Sequence, residues 1–265
     1  MSSRSRSGRV ALAFEDKQYT CAQLDALAVG LAAMLAERGV KPGDRVALMS
    51  SNRPEWVVAV QAIWRLGAAV VLFSPAWKQT ETEHALTITQ PAHAVGDHLV
   101  LAALMPMLHL DEPITPVPGA TGPAANDPQA EAVLVFSSGT TGLPRAVRHT
   151  HGSLRAAIGH WRDALELTEE DRIQVTTPPS HILGLLNIAT ALELGVWMRL
   201  HRRFDLDPPT ARANCRSSPA TRSGTPAWTP PESPCPESAC ACVAGDGVSR
   251  STRGRPARSR CARRR

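Results

Sequence analysis

The chain is expected to be an α/β protein with a mostly parallel sheet and helices on both of its faces. Short apolar runs and amphipathic helical stretches alternate at roughly the spacing of strand–helix–strand crossover units. Several of the apolar runs read as buried strands, and 43% of the 265 residues are hydrophobic, enough to support a core.

The elements follow in order. A first strand is expected at Val10 to Phe14. From Thr20 the pattern turns helical: Leu24, Leu27, Ala28, Leu31 and Leu35 share one face, and Gly39 stands where the chain should leave the helix. Thr20 and Gln23 fit a capping box, each side chain satisfying an amide that the first turn leaves unpaired. Arg45 to Met49 reads as a buried strand. Pro54 then suits the first turn of a helix running to Leu66 and closed by Gly67. A strand at Ala68 to Phe73, a short helix at Thr80 to Ile88 and a strand at His93 to Val95 follow. Residues 111–130 form a Pro/Gly/Ala-rich connection. Strands are then expected at Glu131 to Phe136 and Arg145 to His149, with a helix from Ser153 to Leu165. A strand at Ile173 to Thr176, a helix at Leu183 to Leu194 and a strand at Val196 to Leu200 complete the series. Trp56 and Trp64 share helical spacing with Val57 and Val60 and read as core packing.

Near Asp207 the character changes. The last fifty-five residues contain no Leu, Ile, Phe or Met, so they offer little apolar area to offset the entropy of ordering. The expected organisation is a flexible start at 1–8, a folded region at 9–207, and a disordered Arg/Pro/Ser/Cys-rich tail at 208–265.

Charge divides along the same line. Residues 211–265 carry eleven Arg against three acids, a local balance of +8, which leaves residues 1–210 at −3 of the chain's +5. Spread evenly, +5 would suggest an anionic partner, but the tail has one aromatic residue, Trp228, and no recognisable module, which argues against a nucleic-acid partner. Five of the six cysteines also lie in the tail. The C-x4-C-x-C spacing of Cys235, Cys240 and Cys242 fits no usual zinc pattern, and the tail has no His, so no metal site is expected. No apolar signal segment follows Met1. The longest apolar stretch, near Ile182 to Leu200, is interrupted by Asn187, Glu193, Gly195 and Arg199, so it reads as core and not as a membrane span. The expected compartment is the cytoplasm.

One run carries chemistry: Phe136-Ser-Ser-Gly-Thr-Thr-Gly-Leu-Pro-Arg-Ala-Val147. It leaves an apolar strand, passes through small and hydroxylated residues, and ends on a cation. Gly139 and Gly142 would let the backbone approach an anion. Ser137, Ser138, Thr140 and Thr141 would donate hydrogen bonds, and Arg145 would supply charge. It is not a Walker A loop, because the spacing from Gly139 to Gly142 is too short and no Lys-Ser/Thr follows. On composition alone a plain Gly/Ser/Thr-rich hairpin turn remains open.

The order of residues goes further. Ser137 to Val147 resembles the phosphate-binding signature of the adenylate-forming, or AMP-binding, superfamily, [ST]-S-G-[ST]-T-G-x-P-K-G-V. The continuation His149-Thr150-His151-Gly152-Ser153-Leu154 is similar too, as is Pro178-Pro-Ser-His181-Ile-Leu-Gly184 to the family's P-x-x-H-x-x-G. Upstream, Tyr19-Thr20…Leu24, Gly39-Val-Lys-Pro-Gly-Asp-Arg-Val46, Asn52-Arg-Pro-Glu-Trp56 and Gly67-Ala68 match in order. The resemblance covers about residues 9–207 and is to the fatty acyl-CoA synthetase type. Three departures stand out: Arg145 replaces the family's Lys, Ala146 its Gly, and Ser180 the aromatic residue before the histidine. Arg keeps the charge but presents a broader fork.

The resemblance implies the first part of an αβαβα-layered large domain with mixed sheets, incomplete because a covering layer is missing. It implies ATP, Mg2+ and CoA as ligands and a fatty or other carboxylic acid as substrate, hence a place in lipid metabolism. Ser137, Ser138, Gly139, Thr140, Thr141, Gly142 and Arg145 would hold the phosphates, and His181 would lie near the acyl pocket. The family's later Y-G-x-T-E, T-G-D and terminal Lys elements have no counterpart after Asp207. That implies impaired catalysis, and a frameshift near residue 208 would account for the change in composition. Two other readings stay open: a noncatalytic remnant that binds nucleotide weakly, and a basic-tailed protein that binds nucleic acid or another partner.

Overall fold

Every strand and helix expected between Val10 and Leu200 forms, with boundaries shifted by one or two residues. The computed structural model describes residues 8–118, 126–137 and 142–202. The tail expected to be disordered, the first seven residues and residues 138–141 of the Ser/Thr/Gly run lie outside the described residues.

The chain begins with a hairpin, β1 (Val10–Phe14) and β2 (Lys17–Thr20), and enters α1 (Cys21–Glu37). The capping box of α1 is complete: the Gln23 N–H donates to the Thr20 hydroxyl oxygen at 3.2 Å, and the Thr20 N–H to the Gln23 carboxamide at 2.8 Å. Then come β3 (Arg45–Met49), α2 (Pro54–Arg65), β4 (Ala69–Leu72), α3 (Gln79–Thr89), β5 (His93–Gly96), α4 (Leu99–Leu104) and β6 (Met107–His109). The second half holds β7 (Glu131–Ser137), β8 (Arg145–Thr150), α5 (His151–Ala164), β9 (Arg172–Val175), α6 (Ile182–Leu194) and β10 (Trp197–Leu200).

Three of these elements carry no periodic signal in the sequence. β2 is the polar tetrad Lys17-Gln-Tyr-Thr20, and it exists because it pairs antiparallel with β1. β6, three residues long, exists because it pairs parallel with β5, and α4 is the short turn between them.

The strands form two sheets, in agreement with the layered, mixed-sheet architecture expected from the resemblance. A six-stranded sheet runs β6-β5-β3-β4-β7-β8, and a four-stranded sheet runs β2-β1-β10-β9. Each is parallel except for one antiparallel edge strand, β8 and β2 respectively. Both sheets are therefore mixed, as the resemblance implied.

Alternation along the strands sends side chains to two cores. Ala47, Met49, Val71, Phe73, Ala94 and Leu134 face α3 and α4 through Ala85 and Leu101. Val46, Leu48, Val70, Leu72, Val133 and Val135 face the other way, into a larger cluster with Leu24, Leu31 and Leu35 of α1 and Trp56 and Ile63 of α2. Leu185 and Ile188 of α6 and Leu12, Met198 and Leu200 of the four-stranded sheet belong to that same cluster. Each large apolar side chain buried this way contributes about 1.5–3 kcal/mol relative to exposure.

Candidate functional site

The six-stranded sheet delivers several loops to the carboxyl ends of its parallel strands, the edge at which α/β proteins bind ligands. The Ser/Thr/Gly run leaves β7 there. β7 and β8 form an antiparallel hairpin in which Phe136 pairs with Ala146 and Ser137 with Arg145. The run is thus closed at its base by the hydroxyl residue that opens it and the cation that ends it. Gly142, with φ +91°, sits in the left-handed region that an L side chain enters only with strain. Ser138, Gly139, Thr140 and Thr141 lie outside the described residues. Arg145 is exposed, and no described carboxylate pairs with it.

Both ends of the connection are fastened to the body. Phe136 stands in an edge-to-face cluster with Trp77 (ring centroids 4.8 Å apart) and Phe73 (5.8 Å), in the segment after β4. At the other end the Pro144 carbonyl lies 3.1 Å from Nε2 of His84 on α3. Sequence reading missed all three partners. Phe73 read as the end of a strand, and nothing at Trp77 or His84 marked them as neighbours of a loop some sixty residues later.

The continuation after β8 is a helix start. Thr150 caps α5 and forms a reciprocal pair with Ser153, at 3.1 and 2.9 Å. The Gly152 N–H donates to the Pro128 carbonyl at 2.8 Å. His151, the first residue of α5, is buried and meets the Trp64 ring edge-on at 5.8 Å. Burial, assisted by the charge of Arg155, holds its pKa below the ordinary histidine value.

His181 is the N-cap of α6: its Nδ1 accepts from the Leu183 N–H at 3.3 Å, while its own N–H donates to the Pro178 carbonyl at 2.9 Å. Three residues on, a Cβ at Gly184 would lie 2.2 Å from the Pro178 oxygen, so only glycine allows this approach. The Pro178…His181…Gly184 spacing has a complete local explanation as a turn, a cap and a backbone contact. Among the described residues nothing brings His181 into contact with the hairpin.

A second feature of the same sheet edge surrounds Arg53, just after β3. Its guanidinium reaches Glu55 and Asp111, both at 2.7 Å, and Asp97 at 3.4 Å. Burial alone would lower its pKa, but the hydrogen bonds to Glu55 and Asp111 hold it well above the ordinary value. Burial would likewise raise Asp97, yet hydrogen bonds from Ser51 and Arg53 hold its carboxyl below the usual range. A cleft of about 270 Å³ opens beside Arg53 towards Tyr19 and Ile114. Its cation is already engaged by three carboxylates, so this cluster ties strand ends together and does not present charge to an anion.

The two-sheet α/β body and the hairpin from Ser137 to Arg145 agree with the resemblance that the sequence carries. The sequence profile of the family described as AMP-binding enzyme matches residues 2–228, and the chain belongs to that family. Its relatives include acyl-CoA ligases. The 2-succinylbenzoate–CoA ligase of Bacillus velezensis is 31% identical over 204 residues, covering 75% of this chain and 42% of that protein. The long-chain-fatty-acid–CoA ligase FadD13 of Mycobacterium tuberculosis is 27% identical over 206 residues, covering 72% and 41%. Among solved structures, O-succinylbenzoate coenzyme A synthetase of Bacillus subtilis, in complex with ATP and a magnesium ion, superposes with a TM-score of 0.69 at 27% identity, covering 79% of this chain and 59% of that one. The chain spans about two-fifths of the length of the curated relatives it matches.

Proposed function

We propose that the chain supplies the ATP-phosphate-binding part of an acyl-CoA ligase. The observation that carries this reading is the hairpin, which places Arg145 opposite Ser137 at the mouth of the Ser/Thr/Gly run, with Gly142 at positive φ and the cation unpaired among the described residues. Their residue types suit a polyphosphate: backbone amides and hydroxyls of such a run would donate to its oxygens, and the guanidinium would offset its charge. Ser137 to Gly142 and Arg145 would contact the β- and γ-phosphates.

In the proposed reaction a carboxylate oxygen attacks the α-phosphorus of ATP, and the bond to the bridging oxygen breaks to release pyrophosphate. The CoA thiol then attacks the acyl carbon of the acyl-adenylate, releasing AMP and forming the thioester. Charge builds on the leaving pyrophosphate, so a cation and donors around it lower the first barrier. Mg2+ would enter with the phosphates, as it does where one or two carboxylates and substrate oxygens share its coordination shell. His181 would stand towards the acyl substrate, a fatty acid or another carboxylic acid such as those named for the relatives. No described helix is long and apolar enough to cross a membrane.

We further propose that residues 1–265 by themselves turn over poorly. No Y-G-x-T-E or T-G-D run and no lysine occurs after Asp207, so nucleotide retention should exceed catalysis.

The test is equilibrium dialysis against Mg-ATP, with ATP–pyrophosphate exchange measured over a panel of carboxylic acids. Arg145→Ala should weaken ATP by about tenfold to a hundredfold, the equivalent of a charge-assisted hydrogen bond. Retention of ATP unchanged by Arg145→Ala would sink the assignment.

A further inference from the structure

We propose that His84 is a positioning residue that fixes the Arg145 end of the phosphate loop; its consequence for ATP rests on the reading just given. Pro144 is buried, whereas Gly142, Leu143 and Arg145 on either side of it are exposed. Proline has no N–H, so its carbonyl is its only backbone hydrogen-bonding group, and a buried carbonyl needs a donor. Nε2 of His84, 3.1 Å away, is the donor found among the described residues. That nitrogen must carry the proton, which it does in one neutral tautomer and in the imidazolium.

His84 is well placed for such a role. It sits in the middle of α3, and the next residue, Ala85, is buried in the core beneath the six-stranded sheet. The donor is therefore mounted on a packed helix and not on a loop. Its acceptor immediately precedes Arg145, whose backbone is the first rung of β8 opposite Ser137. The other end of the loop is held through Phe136, which the rings of Trp77 and Phe73 enclose. Besides the pairing of Ser137 with Arg145, the described residues show aromatic contacts at one end and the His84 contact at the other. A backbone fixed before binding leaves only the Arg145 side chain to be ordered when a phosphate arrives. His84 touches no substrate in this arrangement and acts through the Pro144 carbonyl.

The experiment uses the full chain and two readouts. The first is the rate of tryptic cleavage after Arg145 without nucleotide, followed by mass spectrometry, with cleavage after Arg38 and Arg65 as internal controls. The second is Mg-ATP affinity by equilibrium dialysis. His84→Ala should speed cleavage after Arg145 selectively and weaken Mg-ATP by about three- to tenfold, the range for a neutral hydrogen bond. His84→Gln, whose amide can donate to the same carbonyl, should restore both. If His84→Ala changes neither readout while Arg145→Ala weakens ATP, the positioning role is wrong and the phosphate reading survives. If cleavage rises equally at the control sites, His84 serves general stability and the proposal is overturned. If the unaltered chain retains no Mg-ATP, the phosphate reading falls, and selectivity of cleavage alone decides whether His84 holds the loop end.

Discussion

At the scale of single residues, position in the fold sorts chemically similar groups into different roles. Arg53 and Arg145 both sit at the carboxyl edge of the six-stranded sheet, yet Arg53 is surrounded by Glu55, Asp97 and Asp111 while Arg145 pairs with no described carboxylate. The first is neutralised by the protein, and the second is the cation proposed above to meet a phosphate. Arg45 is a third case: it grips both oxygens of Glu131, at 2.6 and 2.9 Å, where β3 and β7 begin, at the opposite edge of the sheet from the hairpin. His151 makes a pH prediction. Its pKa in the fold is depressed by burial, so the unfolded chain binds the proton more readily. The contribution of the neutral imidazole is fully present above the unfolded value, about 6.5, and is lost as pH falls from there through the folded value. His151→Phe keeps a ring against Trp64 and removes the titration. Thermal melts from pH 7.5 to 5 should show a smaller acid-induced drop in the variant than in the unaltered chain. An identical drop in both would mean that His151 protonates freely in the fold.

At the scale of elements, the segments that resemble family motifs are often joints whose residue types have local physical reasons. Thr150 and Ser153 cap α5, and Gly152 lets the helix start approach the Pro128 carbonyl. Around α6 the pattern repeats, with His181 as cap and Gly184 against Pro178. A methyl group at Gly184 would meet backbone atoms of Pro178 and Pro179, which cannot swing aside as a side-chain end can. Gly184→Ala should therefore lower stability by about 1–3 kcal/mol, the usual cost of overpacking, read as a fall in the denaturant midpoint at unchanged slope. No change in midpoint would show that the turn relaxes freely.

At the scale of the molecule, the four-stranded sheet joins the two ends of the described chain. β1 pairs in parallel with β10, Leu12 opposite Met198 and Phe14 opposite Leu200. Leu12 is fully buried in the cluster that also holds α1, α2 and α6. Leu12→Ala should cost about 2–5 kcal/mol. Amide exchange should accelerate in Trp197–Leu200, far away in sequence, and the measurement can be made by mass spectrometry on peptides from that strand. Exchange that stays at its original rate there would contradict the pairing.

What the sequence determined by itself was local. Helix α1 was legible from its apolar stripe and capping box, α2 from Pro54 and Gly67, and the hairpin from an apolar strand running into Ser, Thr and Gly, because each signal lies within a few residues of what it specifies. Family membership was legible for the same reason, since its motifs are short ordered strings. Only the tertiary structure decided which strands share a sheet, that β1 lies beside β10, and that Lys17–Thr20 and Met107–His109 are strands. Only the tertiary structure, likewise, set His84 and Trp77 at opposite ends of one loop. Those outcomes depend on contacts between residues far apart in the chain, where burial and hydrogen bonding are shared by partners whose meeting leaves no periodicity in either segment.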